Sequence, residues 1–468
     1  MANTSGVIGN MQAAVQRPAM AANQGVRRPP QVASRTPSPR LFDYLVACLI
    51  PVYVWRIQDA VPILGKLQFP IIVSLSALIA FVFGGHAARA MPRFKSTSFK
   101  VTLFILMWTV ASVPGSVYPG LSASFVMTDF VKTILMMFMI AASIRHVNDI
   151  ERLAIANLAA ALIYCATILT TYQTGSDGRL SAVLYYDAND LAMMVVCTLP
   201  FAVYFLRGGA KVWQRLMALP CAVIFMVTIA KTGSRGGFLG LIAVVAFLVV
   251  GFRAIPKKTR ITTVVGFGTL LFLVAGPQYW TLMGSILRPQ DDYNTTAEMG
   301  RKAVWERGIG YMATHPLTGV GAEAFTVAEG TISELAARQL EGDGVKWSAA
   351  HNSYVQIGAE LGIPGIVAFL LLLRSLFKTG WQVARSKRPE HPESARERAL
   401  AEALLAALIG YCVAGFFLSQ AYSAYLYALC GIMTGLSAIA IRSPKGLRVA
   451  HPVGAPRGHQ RPNPVLAR

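Results

Sequence analysis

The chain has 468 residues, of which 54% are hydrophobic and 14% charged, and its mean hydropathy is +0.50. Soluble domains carry about 25% charged residues, so this composition excludes an ordinary soluble enzyme, a disordered regulator and a fibrous protein. The charge that remains is lopsided, 43 Lys+Arg against 22 Asp+Glu for a net +21, and in a membrane protein such an excess belongs to cytoplasmic loops before it belongs to nucleic acid.

Residues 1–40 are polar and rich in Ala, Gln, Pro and Arg, without the apolar core of a cleavable signal peptide. They read as a disordered cytoplasmic tail, and residues 442–468 as a second one. Between the tails, apolar runs alternate with short polar breaks. Twelve runs approach the ~20 residues that cross hydrocarbon. They lie at about 41–57, 67–85, 100–116, 122–143, 151–172, 189–206, 213–231, 236–252, 262–283, 353–377, 398–418 and 421–441. The first is the weakest, because it is short and carries Asp43 and Pro51. The fold expected is therefore an all-α polytopic membrane protein with about twelve transmembrane helices. Nine helices fall in 41–283 and three in 353–441, with a partly helical outer (periplasmic) loop at 284–352 between helices 9 and 10. With both termini inside, the Lys and Arg of the short loops concentrate on the inner face, as the positive-inside bias requires.

The outer loop contains an amphipathic stretch from Glu298 to Ala313, with Val304, Trp305, Ile309 and Met312 near helical spacing, and a second helical stretch from about Ser333 to Leu340. Cys48, Cys165, Cys197, Cys221, Cys412 and Cys430 all lie in apolar runs without Cys-x-x-Cys pairing, and read as small buried hydrophobes.

Three polar clusters stand at helix ends, and the orientation places all of them on the outer face. Gly178-Arg179-Leu180-Ser181 leads into Tyr185-Tyr186-Asp187-Ala188-Asn189-Asp190. The planar donor fork of Arg179 suits phosphate oxygens; the blander alternative is a loop arginine paired with Asp177 or Asp187. Lys231-Thr232-Gly233-Ser234-Arg235-Gly236-Gly237 joins a charged side chain to glycines that admit close backbone approach and to a helix N-terminus. Ser234, Arg235 and that helix end describe an anion site, or else a tight turn with an interfacial arginine. Ala350-His351-Asn352-Ser353-Tyr354 offers an imidazole that takes a proton near neutral pH, or a simple helix cap. Glu360, deeper in the same run, is either support or function. Asp129 and Lys132 stand at i and i+3, a candidate buried ion pair or proton relay. Asp291-Asp292 is too little for a metal site. No His/Cys/Asp cluster has metal-ligand spacing and no nucleotide-binding Gly-rich loop is present, so the sequence supports neither a metal nor any other cofactor.

Taken in order, these motifs resemble the O-antigen ligase and O-antigen polymerase superfamily of bacterial membrane glycosyltransferases. The matching passages are Thr232–Gly237, Gly300-Arg301-Lys302-Ala303-Val304-Trp305, His315-Pro316-Leu317-Thr318-Gly319-Val320-Gly321, His351–Tyr354 and Glu360-Leu361-Gly362-Ile363-Pro364-Gly365. The resemblance implies a multi-pass protein of the inner membrane with its active site facing the periplasm. It also implies an undecaprenyl-pyrophosphate-linked glycan as donor, a glycan or lipid A-core acceptor, and transfer without a metal ion. The family's two essential arginines correspond to Arg179 and Arg235 and its histidine to His351. His351 is then the general base, with Arg179, Arg235, Ser234, Arg301 and Asn352 binding substrate. His315, before Pro316, shapes a turn. Polymerisation of lipid-linked repeat units of O-antigen or exopolysaccharide needs the same site, and a polysaccharide or lipid transporter is the alternative of another class. Membrane lipids are expected partners and nucleic acid is not.

Overall fold

The computed structural model describes residues 40–442 apart from 88–90, 172–174, 176–178, 181–184, 208–209, 254, 343 and 387–391. The two tails expected at 1–40 and 442–468 lie outside the described residues, save Arg40 and Arg442. Among the described residues every regular element is helical and there is no β-strand. Each apolar run of the sequence coincides with a helix. These are α1 (Leu41–Val54), α2 (Phe69–Phe83), α3 (Thr97–Gly115), α4 (Pro119–Ser143), α5 (Val147–Thr171), α6 (Ala188–Phe205), α7 (Val212–Thr232) and α8 (Arg235–Val250). The series continues with α9 (Lys257–Val274), α10 (Pro277–Leu287), α11 (Arg301–Thr314), α12 (Phe325–Thr331), α13 (Ser353–Ala384), α14 (Glu393–Phe417) and α15 (Ala424–Arg442).

Seven of these, α3 to α7, α13 and α14, are long and apolar enough to cross a membrane. The run expected as one span at 262–283 is instead broken: α9 and α10 meet at 110°. Pro277 lacks the N–H that would continue α9, and Gly276 takes an extended conformation before it. Helices α1, α2, α8 and α15 are shorter apolar elements of 10–17 residues by their hydrophobic stretch.

Burial follows composition. Helix α6 is apolar all round, and every residue from Leu191 to Phe205 is buried. It packs against α7, α8 and α14 at the centre of the bundle. Helix α9, by contrast, buries only Leu271 and presents its remaining apolar surface outward. Contact between α8 and its neighbours is close because glycines face them: a Cβ on Gly237 would stand 2.5 Å from the Ala192 methyl, and one on Gly240 3.3 Å from that of Ala414. All six cysteines are free thiols, buried or half-buried. The pairing considered for Asp129 and Lys132 does not form. A π-helical turn at Val126–Phe130 displaces the helical register there, and Asp129 accepts instead from the Thr128 hydroxyl at 2.7 Å.

The 301–361 region is organised by a break inside α13. Pro364 has no N–H to give the carbonyl of Glu360, and Gly362 sits at φ +69°, ψ −166°, a conformation open essentially to glycine alone. The carbonyls this frees find partners elsewhere. Val320 N–H donates to Ala359 O (2.8 Å), Gly321 N–H to Glu360 O (3.0 Å) and the Trp108 indole N–H to Leu361 O (3.0 Å). Ile363 N–H donates to Pro316 O at 2.8 Å in return. The two sequence motifs 315–321 and 360–365 are thus the two halves of one interlock, and His315 lies in its turn, its carbonyl accepting from Gly319 N–H. A small core of Val304, Tyr311, Val320, Phe325, Ala328, Ala350 and Ala359 packs over it. The buried stripe of α11 is Val304, Gly308 and Tyr311, not the expected line through Ile309, which is 53% exposed. At the edge of this core Arg307 grips the buried Glu329 with two nitrogens, and the Tyr311 hydroxyl donates to the same carboxylate at 2.7 Å.

Gly319 stands at φ +65°, and an added Cβ would lie 2.3 Å from the Glu360 carbonyl carbon. Gly319→Ala is expected to destabilise the protein by roughly 2 kcal/mol or more, read as a lowered midpoint in detergent thermal unfolding, whereas Gly310→Ala, inside α11 with open space around it, leaves the midpoint unchanged or slightly raised.

Candidate functional site

Five helix ends converge at one end of the bundle: the N-termini of α6, α8 and α13 and the C-termini of α7 and α14. Each end is built by local chemistry. Asp187 caps α6 by accepting from Asn189 and Asp190 N–H at 2.7 Å each. Gly233, at φ +57°, ends α7 in the left-handed conformation, and Ser234 caps α8 by accepting from Gly237 N–H at 3.1 Å. Asn352 caps α13, its Oδ1 accepting from Tyr354 and Val355 N–H at 2.9 and 3.1 Å. The bare backbone at Gly233 is what lets Arg179 lie across this turn: an added Cβ would meet the Arg179 side chain at 2.8 Å.

Arg179 is held in place by two acceptors. Its Nε donates to Thr232 O at 3.0 Å and its Nη2 to Asn189 Oδ1 at 3.2 Å, so one guanidinium ties the α7 end to the α6 end. The neighbouring Leu180 N–H donates to Lys231 O at 3.0 Å. Arg235, the first residue of α8, donates to the Ser285 hydroxyl at 3.0 Å and forms an ion pair with Asp292. Burial works to raise the Asp292 carboxyl, but the Arg235 guanidinium and the Asn294 amide hold it below its usual range. Arg301, the first residue of α11, has no carboxylate at ion-pair distance among the described residues. Burial, then the charge of Arg235, hold its guanidinium below the usual range; Asp187 opposes them and Arg179 adds to them. Three arginines therefore act on one another in one half-buried place, where Arg235 is paired with Asp292.

His351 borders the same group. Its backbone is left-handed at φ +46°, unusual for a residue with a side chain, and its N–H donates to the Ser419 hydroxyl at 2.8 Å. Burial pushes its imidazole down from 6.5 to about 4, and the positive charges of Arg301 and Lys346 push the same way against Asp187. The ring is neutral at neutral pH, with a nitrogen lone pair available. Because the folded value lies below the unfolded one, this group's contribution to stability is present above pH 6.5 and is lost as the pH falls toward about 4.

The six residues singled out from sequence thus share one end of the bundle, but in different capacities. Arg179, Arg235, Arg301 and His351 form one electrostatic cluster. The side-chain oxygens of Ser234 and Asn352 are engaged as helix caps, and both residues are 2% exposed. The His315 ring bonds to the Thr314 hydroxyl at 3.0 Å within its own turn. Glu360 is buried and accepts from Glu323 N–H at 3.0 Å, which fastens the 321–325 segment to α13.

Sequence reasoning gave no role to the link after α14. Phe417 packs on Gly236, Ser419 fixes the His351 backbone, and the Gln420 amide donates to Asp190 Oδ1 at 2.9 Å. This link joins all three polar clusters; its only trace in the sequence is a Ser-Gln break between two apolar runs. Asp292, set aside as half of a stray acidic pair, proves to be the partner of Arg235. Beside the site a cavity of about 940 Å³ opens between α1, α2, α4 and α15. It is lined by Tyr185, Asp190, Ser419 and Gln420 from the site and by Asp129 and Glu323 further in.

Residues 220–370 match the family model described as O-antigen ligase, which bears out the resemblance over that segment. The segment contains Ser234, Arg235, Arg301, His351 and Asn352 and leaves Arg179 outside it. An uncharacterised protein of Haemophilus influenzae is 21% identical over 223 residues, covering 45% of this chain and 54% of that protein. The chain thus spans about half the length of the curated relative it matches.

His351 is expected to titrate near pH 4 by NMR of the labelled ring, and Arg301→Ala to move that midpoint upward, because the cation that opposes protonation is gone. A midpoint at 6.5 in the unmodified protein is the contrary result.

Proposed function

We propose, from the O-antigen ligase match over residues 220–370, that this chain is a membrane glycosyltransferase. It moves a glycan from an undecaprenyl-pyrophosphate donor to an acceptor hydroxyl at the periplasmic face of the bacterial inner membrane. In this reading the seven long helices, the bent α9–α10 pair and the four shorter apolar helices all cross, giving twelve passages with both termini in the cytoplasm. The observation that carries the proposal is the cluster of Arg179, Arg235 and Arg301 beside a neutral His351.

The chemistry follows from charge. Attack of the acceptor oxygen on the anomeric carbon breaks the bond to the diphosphate, and the electron pair stays on the departing phosphate oxygen. Fixed guanidiniums in a partly dry site stabilise that developing charge without reorganising. The N-terminus of α8 adds its N–H groups to the same place. His351 takes the proton of the acceptor hydroxyl, a role typically worth about 10²–10⁴ in rate. Its low basicity comes first from burial and then from Arg301. A bound diphosphate compensates that cation and raises the imidazole toward the range where it accepts a proton well. Direct displacement inverts the anomeric centre. The cavity beside Ser419 and Gln420 gives the acceptor glycan room among tyrosine, amide and carboxylate groups.

Ligation and polymerisation share this machinery and differ in the acceptor. Deletion of the gene separates them: loss of a ligase removes capped lipopolysaccharide and lets long lipid-linked chains accumulate, whereas loss of a polymerase lets single repeat units accumulate. A transporter would depend on the charged lining of the cavity. Asp129→Asn abolishes activity in that case, and here weakens acceptor binding while turnover persists.

Arg235→Ala is expected to lower transfer by 10²-fold or more at unchanged membrane abundance, with partial recovery in Arg235→Lys, which keeps the charge but not the fork. His351→Ala is expected to lose a similar factor. Normal surface glycan in either alanine variant would remove that residue from the mechanism. Because the arginines hold the role that a divalent cation fills in other transferases, chelator added to the purified protein leaves its rate unchanged.

A further inference from the structure

A second charged cavity lies far from the site. It measures about 530 Å³ and is lined by Arg93, Lys95, Arg374 and Lys378, by the hydroxyls of neighbouring Ser and Thr side chains and, among the described residues, by no carboxylate. Arg374 stands roughly 30 Å along α13 from the Asn352 cap, at 1.5 Å per residue, so this cavity belongs to the opposite end of the bundle. Arg93 is 5% exposed and rigidly placed: its Nη1 donates to Ala141 O (2.9 Å) and Ala142 O (2.7 Å), the last carbonyls of α4. The first turn of α3, beginning at Thr97, turns its positive end to the same space. Lys95, Arg374 and Lys378 are all exposed. Lys95, Arg374 and Lys378 beside a helix N-terminus give this space a positive potential that favours an anion.

The surface above the cavity decides which anion. Val367, Leu371, Arg374 and Lys378 follow one another at intervals of four, three and four, which places them on a single face of α13. The upper half of that face is bare hydrocarbon surface, with Val367 48% and Leu371 46% exposed. On α3, which packs against α13, Leu103 and Phe104 are likewise exposed. One face thus passes from an apolar strip into a basic cleft, the profile of a molecule with acyl chains and a phosphate headgroup. We infer that the cleft formed by Arg93, Lys95, Arg374 and Lys378 binds an anionic phospholipid, its phosphate in the cleft and its chains along α13 and α3. Basic pockets between membrane helices recognise anionic headgroups by this combination.

The test uses the full-length protein purified in detergent. Native mass spectrometry is expected to show phosphatidylglycerol retained in preference to phosphatidylcholine. The double substitution Arg374→Gln with Lys378→Gln weakens phosphatidylglycerol by roughly 30-fold, about fivefold for each charge removed near the headgroup. The charge-keeping pair Arg374→Lys with Lys378→Arg retains it, which separates loss of the site from loss of folding. Inorganic phosphate at millimolar concentration neither displaces the lipid nor reproduces its thermal stabilisation. Equal retention of the two lipids, undiminished binding in the neutral pair, or full stabilisation by phosphate alone would each overturn the assignment.

Discussion

Positive charge concentrated at a half-buried helix junction is the constraint around which this molecule is arranged. Guanidiniums lose hydration and repel one another in a medium less polar than water, and Arg301, lowered first by burial and then by Arg235, records both effects. The bundle tolerates the arrangement because each cation is restrained from a different direction. Arg179 is tied to a helix C-terminal carbonyl and Arg235 to the Asp292 carboxylate, while Arg301 is carried by the first turn of α11. These restraints leave the net charge of the place positive among the described residues. Such a place favours an anion over water, and under the proposed function the diphosphate leaving group is that anion.

The scaffold serves this by holding backbone, not only side chains. A proline and a glycine break α13 so that three carbonyls turn away from the helix, and the 315–321 segment and Trp108 meet them. That interlock anchors α11 and its first residue, Arg301. The link after α14 anchors the strained His351 through a serine hydroxyl. Strain of this kind persists only where the surroundings over-determine the conformation, and it is common where a side chain must be aimed.

The two ends of the bundle hold positive charge in different ways. At the site, arginines are restrained and in part countered by Asp187 and Asp292, which leaves room for a ligand that comes and goes. At the other end, basic side chains line a cleft that holds no acid among the described residues and continue into an apolar strip, an arrangement suited to a resident lipid. In the proposed readings the same residue types thus meet a lipid-linked reactant at one end and a resident phospholipid at the other.

Much of this was legible in the sequence. Apolar runs placed every long helix, because crossing hydrocarbon requires all backbone groups to be satisfied within one helix and so leaves a long, unmistakable apolar pattern. The polar breaks marked Arg179, Arg235 and His351, since charge within such a pattern stands out. Other features depend on geometry that no local pattern records. The 110° bend between α9 and α10 was hidden in a continuous apolar run, and the expected Asp129–Lys132 pair was undone by a π-helical turn. Asp292 and Ser419 look ordinary along the chain and acquire their roles only when residues 57 and 68 positions away come into contact. The sequence by itself determined that the chain is a helical membrane protein with cations at its helix ends, because hydropathy and charge are properties of neighbours in the chain. Only the tertiary structure decided that three arginines and one imidazole share a place, and which partners restrain them, because those distances are set by how separate helices pack.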